Sequence, residues 1–134
     1  MSDQTPLVRP NTYPTTWRTG TIATSGESVT LFPCANDTFF YHIDVLAFTF
    51  FFDPLDLTAG CELQWVDSVG NVAPIAGLGL SITGLPGTLE QNQNFTFETS
   101  FDTELGIIMK MTEKTGGSSH CSAWAAGYVQ EPAW

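Results

Sequence analysis

Apolar and polar positions alternate with period two along most of this chain, in short runs separated by Gly, Pro, Asn, Asp and Ser. That is the pattern of antiparallel strands and not of helices. Gly20 to Thr24 and Ser28 to Phe32 read as strands around the turn Ser25-Gly26-Glu27, and Pro33, which cannot donate to a ladder, ends the second. The strongest signal runs from Phe39 to Phe52. Before Asp44 the odd positions Phe39, Tyr41 and Ile43 carry the apolar bulk, and after it the even positions Leu46, Phe48, Phe50 and Phe52 do, so the spacing predicts a bulge or a change of sheet near Asp44. The second half of this run is apolar on nearly both faces, and both therefore need cover.

After a break at Asp53 to Gly60, Cys61, Leu63 and Trp65 alternate with polar neighbours, and Asp67 to Asn71 supplies a hairpin loop. Val72 to Ile75 returns, interrupted by Pro74, and Leu78, Leu80 and Ile82 alternate with Gly77, Gly79 and Ser81. Phe95 to Thr99, Leu105 to Met111 and His120 to Val129 complete the set, the last with Ser122, Trp124, Ala126 and Tyr128 on one face. About eight antiparallel strands with long crossovers predict an all-β, jelly-roll-like β-sandwich over residues 19–130. Residues 1–18, with Pro6, Pro10 and Pro14 among polar residues, show no period and read as an extended N-terminal arm; residues 131–134 form a short tail.

Charge narrows the partners. Fourteen acidic residues face four basic ones, and the stretch from Thr19 to Met109 holds no Lys or Arg, so the clustered cations that nucleic acid demands are missing. No apolar run is long enough for a transmembrane helix, and Met1 to Pro6 lacks the start of a signal peptide, so neither a membrane nor that secretion route is expected. Only 13% of residues are charged while another 13% are aromatic, a balance suggesting that other subunits cover part of the surface. The candidate partner and oligomer contacts are Tyr13, Trp17 and Arg18 of the arm, Leu46, Phe48, Phe50 and Phe52 of the two-faced strand, and Trp134. Because one core covers only one face of Val45 to Phe52, a homo-oligomer is expected, with a trimer preferred.

Candidate chemistry is sparse. His42 and Asp44 project to one side of a strand and could join His120 or Cys121 around a metal, but no second His-x-His or His-x-Asp element adds ligands, and a surface histidine beside an acid is the simpler reading. No G-x-S-x-G elbow supports a serine nucleophile. Glu62, Asp67, Glu98, Asp102 and Glu104 read as solvated carboxylates, while Asp53 and Asp56 lack the spacing of a calcium loop. No catalytic, cofactor or metal residue is expected, and the chain is not read as an enzyme. Cys34, Cys61 and Cys121 have no paired spacing and read as small buried residues of a protein made in a reducing cytoplasm; two of them could still pair across facing strands.

The Pro-aromatic arm, the hairpin Trp65-Val66-Asp67-Ser68-Val69-Gly70-Asn71, the strand Leu78-Gly79-Leu80-Ser81-Ile82-Thr83-Gly84 and the late Trp124-Ala125-Ala126-Gly127-Tyr128 resemble small β-sandwich virion proteins of tailed bacteriophages. Head decoration, or cement, proteins are the nearest family in style. The resemblance implies a structural virion protein, synthesised in the host cytoplasm and clamped on the capsid surface. There it would bind the major capsid protein and bridge coat subunits, often as a trimer and without catalytic residues. The alternative is a receptor- or carbohydrate-binding β-sandwich module of a phage fibre or tail, with exposed Trp and Tyr as stacking platforms.

Overall fold

The period-two runs become nine strands in the computed structural model, which describes residues 12–35, 39–84, 87–98 and 100–130, and only the backbone of Thr12 and Tyr13. They are β1 (Thr12–Arg18), β2 (Ser28–Phe32), β3 (Phe40–Phe52), β4 (Thr58–Val66), β5 (Val72–Thr83), β6 (Gln91–Phe97), β7 (Phe101–Thr103), β8 (Gly106–Glu113) and β9 (His120–Gln130). Sheet A has the order β1-β9-β3-β6, with β7 pairing the first part of β3; sheet B has the order β2-β8-β4-β5. Every pairing is antiparallel. β1 meets β9, β2 meets β8, β3 meets β6 and β4 meets β5, so early strands pair with late ones in reverse order, and β1, β2, β3 and β4 fall in sheets A, B, A and B. No helix occurs among the described residues, and hence none long and apolar enough to cross a membrane.

The face change in β3 is a bulge. Its register against β9 shifts between Ile43 and Val45, so Asp44 is the extra residue, left exposed, and Tyr41, Ile43, Leu46, Phe48, Phe50 and Phe52 all point inward. Leu46 and Phe52 are 0% exposed, Phe48 and Phe50 1%, packed with Leu63, Ile107, Met109 and Met111 of sheet B. This corrects the expectation that these four side chains form a partner interface: they are the core between the sheets, and no partner reaches them without unfolding it. On the other face of β3, Ala47 lies opposite Trp124, the Thr49 hydroxyl hydrogen-bonds that of Ser122 (3.0 Å), and Phe51 stacks on His120 with ring centroids 5.0 Å apart; these are neighbours within the sheet, and Thr49 stays exposed.

Three further expectations change. Gly20 to Thr24 forms only an isolated bridge, Ile22 to Cys121. The runs at 72–75 and 78–82 are one strand, β5, whose register against β4 slips between Glu62 and Gln64. The arm is shorter than expected, because residues 12–18 are an edge strand of sheet A; residues 1–11 and the tail 131–134 lie outside the described residues. Pro14 is tolerated there because an edge strand offers a side where no N–H is needed. Trp17 fastens that strand by turning inward onto Phe32 (5.0 Å) and Tyr41 (5.6 Å).

One buried carboxylate ties the loops at the end of the sandwich where β3 and β5 finish. Asp56, 0% exposed, accepts hydrogen bonds from the backbone N–H groups of Thr115 (2.9 Å), Gly117 (2.8 Å) and Ser119 (3.1 Å) and from the Thr115 hydroxyl (3.2 Å). Burial pushes its pKa up. The hydrogen bonds from Ser119, Gly117 and Thr115 outweigh that and hold it at about 2. Asp53 reinforces the joint by accepting from Ser118 N–H (2.7 Å), and Gly84 N–H donates to Leu57 C=O (2.7 Å), which brings the exit of β5 against the same loop.

Candidate functional site

Two surfaces of the sandwich offer chemistry to a partner. The first is the outer face of sheet A. Strand alternation sends His120, Ser122, Trp124, Ala126 and Tyr128 of β9 to that face, beside His42, Val45, Ala47, Thr49 and Phe51 of β3 and Asn92, Asn94 and Thr96 of β6. The ring pairs Phe51–His120 and His42–Tyr128 (4.6 Å, interplanar 18°) lie toward opposite ends of the β3–β9 ladder, with Trp124 between them along β9. Hydroxyls and amides fill the rest, and the charges Arg18, Asp44 and Asp102 lie toward its margins. Fixed aromatics, no charge at the centre and small polar groups between them is the composition of a binding face.

At one margin His42 is held between two carboxylates. Its Nδ1 lies 2.6 Å from Asp102 Oδ1 and its Nε2 3.0 Å from Asp44 Oδ1, and Ser100 Oγ donates to that same Asp44 oxygen (3.0 Å). A carboxylate only accepts, so each ring contact is a hydrogen bond when the facing nitrogen carries a proton. The serine bonds the acid and not the imidazole, so Ser100, Asp44 and His42 do not line up in the order serine, imidazole, carboxylate. The structure does not assemble the metal candidates: His120 lies at the far end of β9 from the His42 pairing, and the Cys121 thiol is buried in the core. Among the described residues no group of three His, Cys, Asp or Glu side chains is arranged to hold a metal ion. Asp53 and Asp56 spend their oxygens on backbone N–H groups, and Glu62, on β4, instead accepts from the Gln64 amide (2.6 Å).

The second surface is the side of the sandwich bounded by β5 in sheet B and by β6 and β7 in sheet A. There the sheets part around an open apolar cleft of about 370 Å³, lined mainly by Leu46, Trp65, Ile75, Leu78, Phe97 and Phe101. Trp65 and Phe101 meet edge-on at 5.9 Å across it, and Phe97 and Leu105 remain 40% and 37% exposed. Sequence reasoning missed this cleft, because each lining residue reads as ordinary core by its own period.

Of the residues expected to contact a partner, Trp17 is half-buried on the core and Arg18 is exposed beside Trp124, while Leu46, Phe48, Phe50 and Phe52 are internal. The side chain of Tyr13 and all of Trp134 lie outside the described residues. The outer-face residues Phe51, Trp124 and Tyr128 were missing from that set, although the alternation in β9 already placed Trp124 and Tyr128 together. Cys61 of β4 and Cys121 of β9 meet across the core as thiols, and the hydrogen bond between them, then burial, hold the Cys61 thiol well above its usual range. No protein-family model matches this chain, and no curated protein matches its sequence.

Proposed function

We propose that the chain is a structural virion protein, a jelly-roll decoration subunit that attaches to the outside of a capsid and bridges coat subunits. Two features support the jelly-roll reading: the strand pairing that joins early strands to late ones in reverse order, and the division of the strands into the sheets β1-β9-β3-β6 and β2-β8-β4-β5. That architecture is shared by viral shell proteins and by lectin-like modules. The observation that carries the functional reading is the outer face of sheet A, whose centre is uncharged, holds Trp124 among small polar side chains and is flanked at both ends by stacked ring pairs. It is built to be covered by protein and not to perform a reaction.

The test adds the purified protein to undecorated capsid shells and counts bound copies. Thr49→Glu plants a charge at the exposed centre of the face and should weaken attachment at least about ten-fold, while the urea midpoint stays where it is. Attachment that survives both Thr49→Glu and Trp124→Ala overturns the assignment of this face.

The second reading, a receptor- or carbohydrate-binding module, is favoured by Trp124 and Tyr128 standing on the same face as Asn92 and Asn94, the pairing of ring platform and amide that sugars use. A glycan array that binds the protein, together with shells that do not, decides for it.

A further inference from the structure

The two sides of the sandwich manage their strand edges differently. On the β1–β2 side, β1 carries Pro14 and Arg18, and β2 is only five residues long and bulged, with its register shifting between Thr30 and Phe32; these are the usual devices that keep an edge from pairing. On the other side, among the described residues, the short β7 with its Asp102 takes part of the edge of sheet A, and the two long edges are β5, Val-Ala-Pro-Ile-Ala-Gly-Leu-Gly-Leu-Ser-Ile-Thr, and β6, Gln-Asn-Gln-Asn-Phe-Thr-Phe. Neither strand holds an ionisable side chain, and Pro74 is the one protective residue in the two. They border the same apolar cleft, with Phe97 and Leu105 exposed beside it.

We propose that this side is where the chain pairs with a second copy of itself, β6 against β6 and β5 against β5, about one two-fold axis that runs perpendicular to both sheets. A single such axis makes both new pairings antiparallel and continues each sheet into the partner. The chain carries a net charge of −10, so two copies meet where carboxylates do not oppose one another: β5 and β6 hold none, and an antiparallel β6 pair can keep Glu90, Glu98 and Asp102 of β7 from facing each other, which makes a second copy a fitting occupant. Charge also fixes the register. Centring β6 on Asn94 would set Glu90 against Glu98 of the other copy, whereas centring it on Phe95 stacks Phe95 on its own copy. That second register places Asn94 against Thr96 and Gln93 against Phe97, and it lays Glu98 opposite Asn92. The expectation of a trimer came from the two apolar faces of Val45 to Phe52, whereas pairing of these edges makes a dimer. This inference goes beyond attachment to a shell and holds whatever the outer face of sheet A binds.

Light scattering and analytical ultracentrifugation of the full chain test it. The expected result is a species of twice the chain's mass at high micromolar concentration. Asn94→Glu with Thr96→Glu, both on the exposed face, sets like charges against each other in both pairs and should give a monomer with unchanged circular dichroism and urea midpoint. Asn94→Lys with Thr96→Glu sets opposite charges across the axis and should restore the dimer. A monomeric parent or a trimer overturns the proposal, as does a dimer indifferent to the double-Glu variant, and a Lys/Glu variant that stays monomeric overturns the register.

Discussion

The β1–β2 side and the β5–β6 side both spend several aromatic residues where the two sheets meet, yet one is sealed and the other is open. On the sealed side Trp17, Phe32, Phe39 and Tyr41 pack ring against ring at 4.5–5.6 Å, and Tyr41 donates its hydroxyl to the Pro33 carbonyl at 2.6 Å. On the open side Trp65, Phe97 and Phe101 meet only edge-on at 5.9 and 6.2 Å around an open volume. Aromatic content is therefore not what closes a sandwich. Closure comes from inward rings that converge: β1 stays in register along β9, and the one-residue shift in β2 between Thr30 and Phe32 leaves Phe32 in the cluster. The slip of β5 against β4, between Glu62 and Gln64, displaces Ile75 to Leu78 from the ladder at the point where the sheets part.

The largest effect that would separate the two sides is a truncation on each. Phe32→Ala empties a site that is 1% exposed and should cost about 3–5 kcal/mol, whereas Phe97→Ala removes a ring already bordering solvent and should cost less than about 1 kcal/mol in the monomeric background of the double-Glu variant. Urea unfolding followed by circular dichroism measures both. Equal losses would mean that the cleft is as well packed as the sealed side and would end the comparison.

A somewhat smaller effect asks whether the open side is held by its loops. Asp56→Ala strands the buried Ser119 N–H and the part-buried N–H groups of Thr115 and Gly117 and should cost about 3 kcal/mol, at the end where Gly84 leaves β5. The same carboxylate sets a pH dependence. Its pKa in the folded chain, about 2, lies below the unfolded value near 3.9, so its contribution is complete above about pH 4 and is lost as pH falls toward 2. Acid titration of the urea midpoint should show that decline in the parent and a flatter one in Asp56→Ala; parallel curves would assign the loss to other carboxylates.

Much of this architecture was legible in the sequence, and the failures share a cause. The alternation in Phe39 to Phe52 showed the strand and a change of parity at Asp44, a local signal that left a bulge and a change of sheet both open. What packs on that strand is not local: Leu63, Ile107 and Met109 of the other sheet meet its inner face, and so the inward set Leu46, Phe48, Phe50 and Phe52 was mistaken for a contact surface. β1 escaped because Thr15 and Trp17 make too short an alternation around Pro14. Asp56 looked like a loop acid beside a strand stop, and only the approach of Thr115, Gly117 and Ser119 turns it into a buried anchor. The cleft left no trace in the period at all, because a strand leaving its register keeps its composition.

The smallest expected effect is that of salt on self-association, and it tests the charge argument that distinguishes the two sides. Two copies with a net charge of −10 repel each other at long range, and the proposed contact contains no ion pair that screening could weaken. Raising the ionic strength from about 0.01 to 0.15 M shortens the screening length from about 30 to 8 Å, which removes repulsion between the distant carboxylates and leaves the strand hydrogen bonds and apolar contacts untouched. The dimer should therefore tighten by a small factor, about two- to five-fold, with the change carried mainly by the association rate. A contact on the β1–β2 side would place Arg18 of one copy near the carboxylates of the other, and salt would then loosen the pair. Sedimentation at the two salt concentrations gives the sign directly: weakening would move the interface to the sealed side, and the open cleft would have to be explained without a second copy.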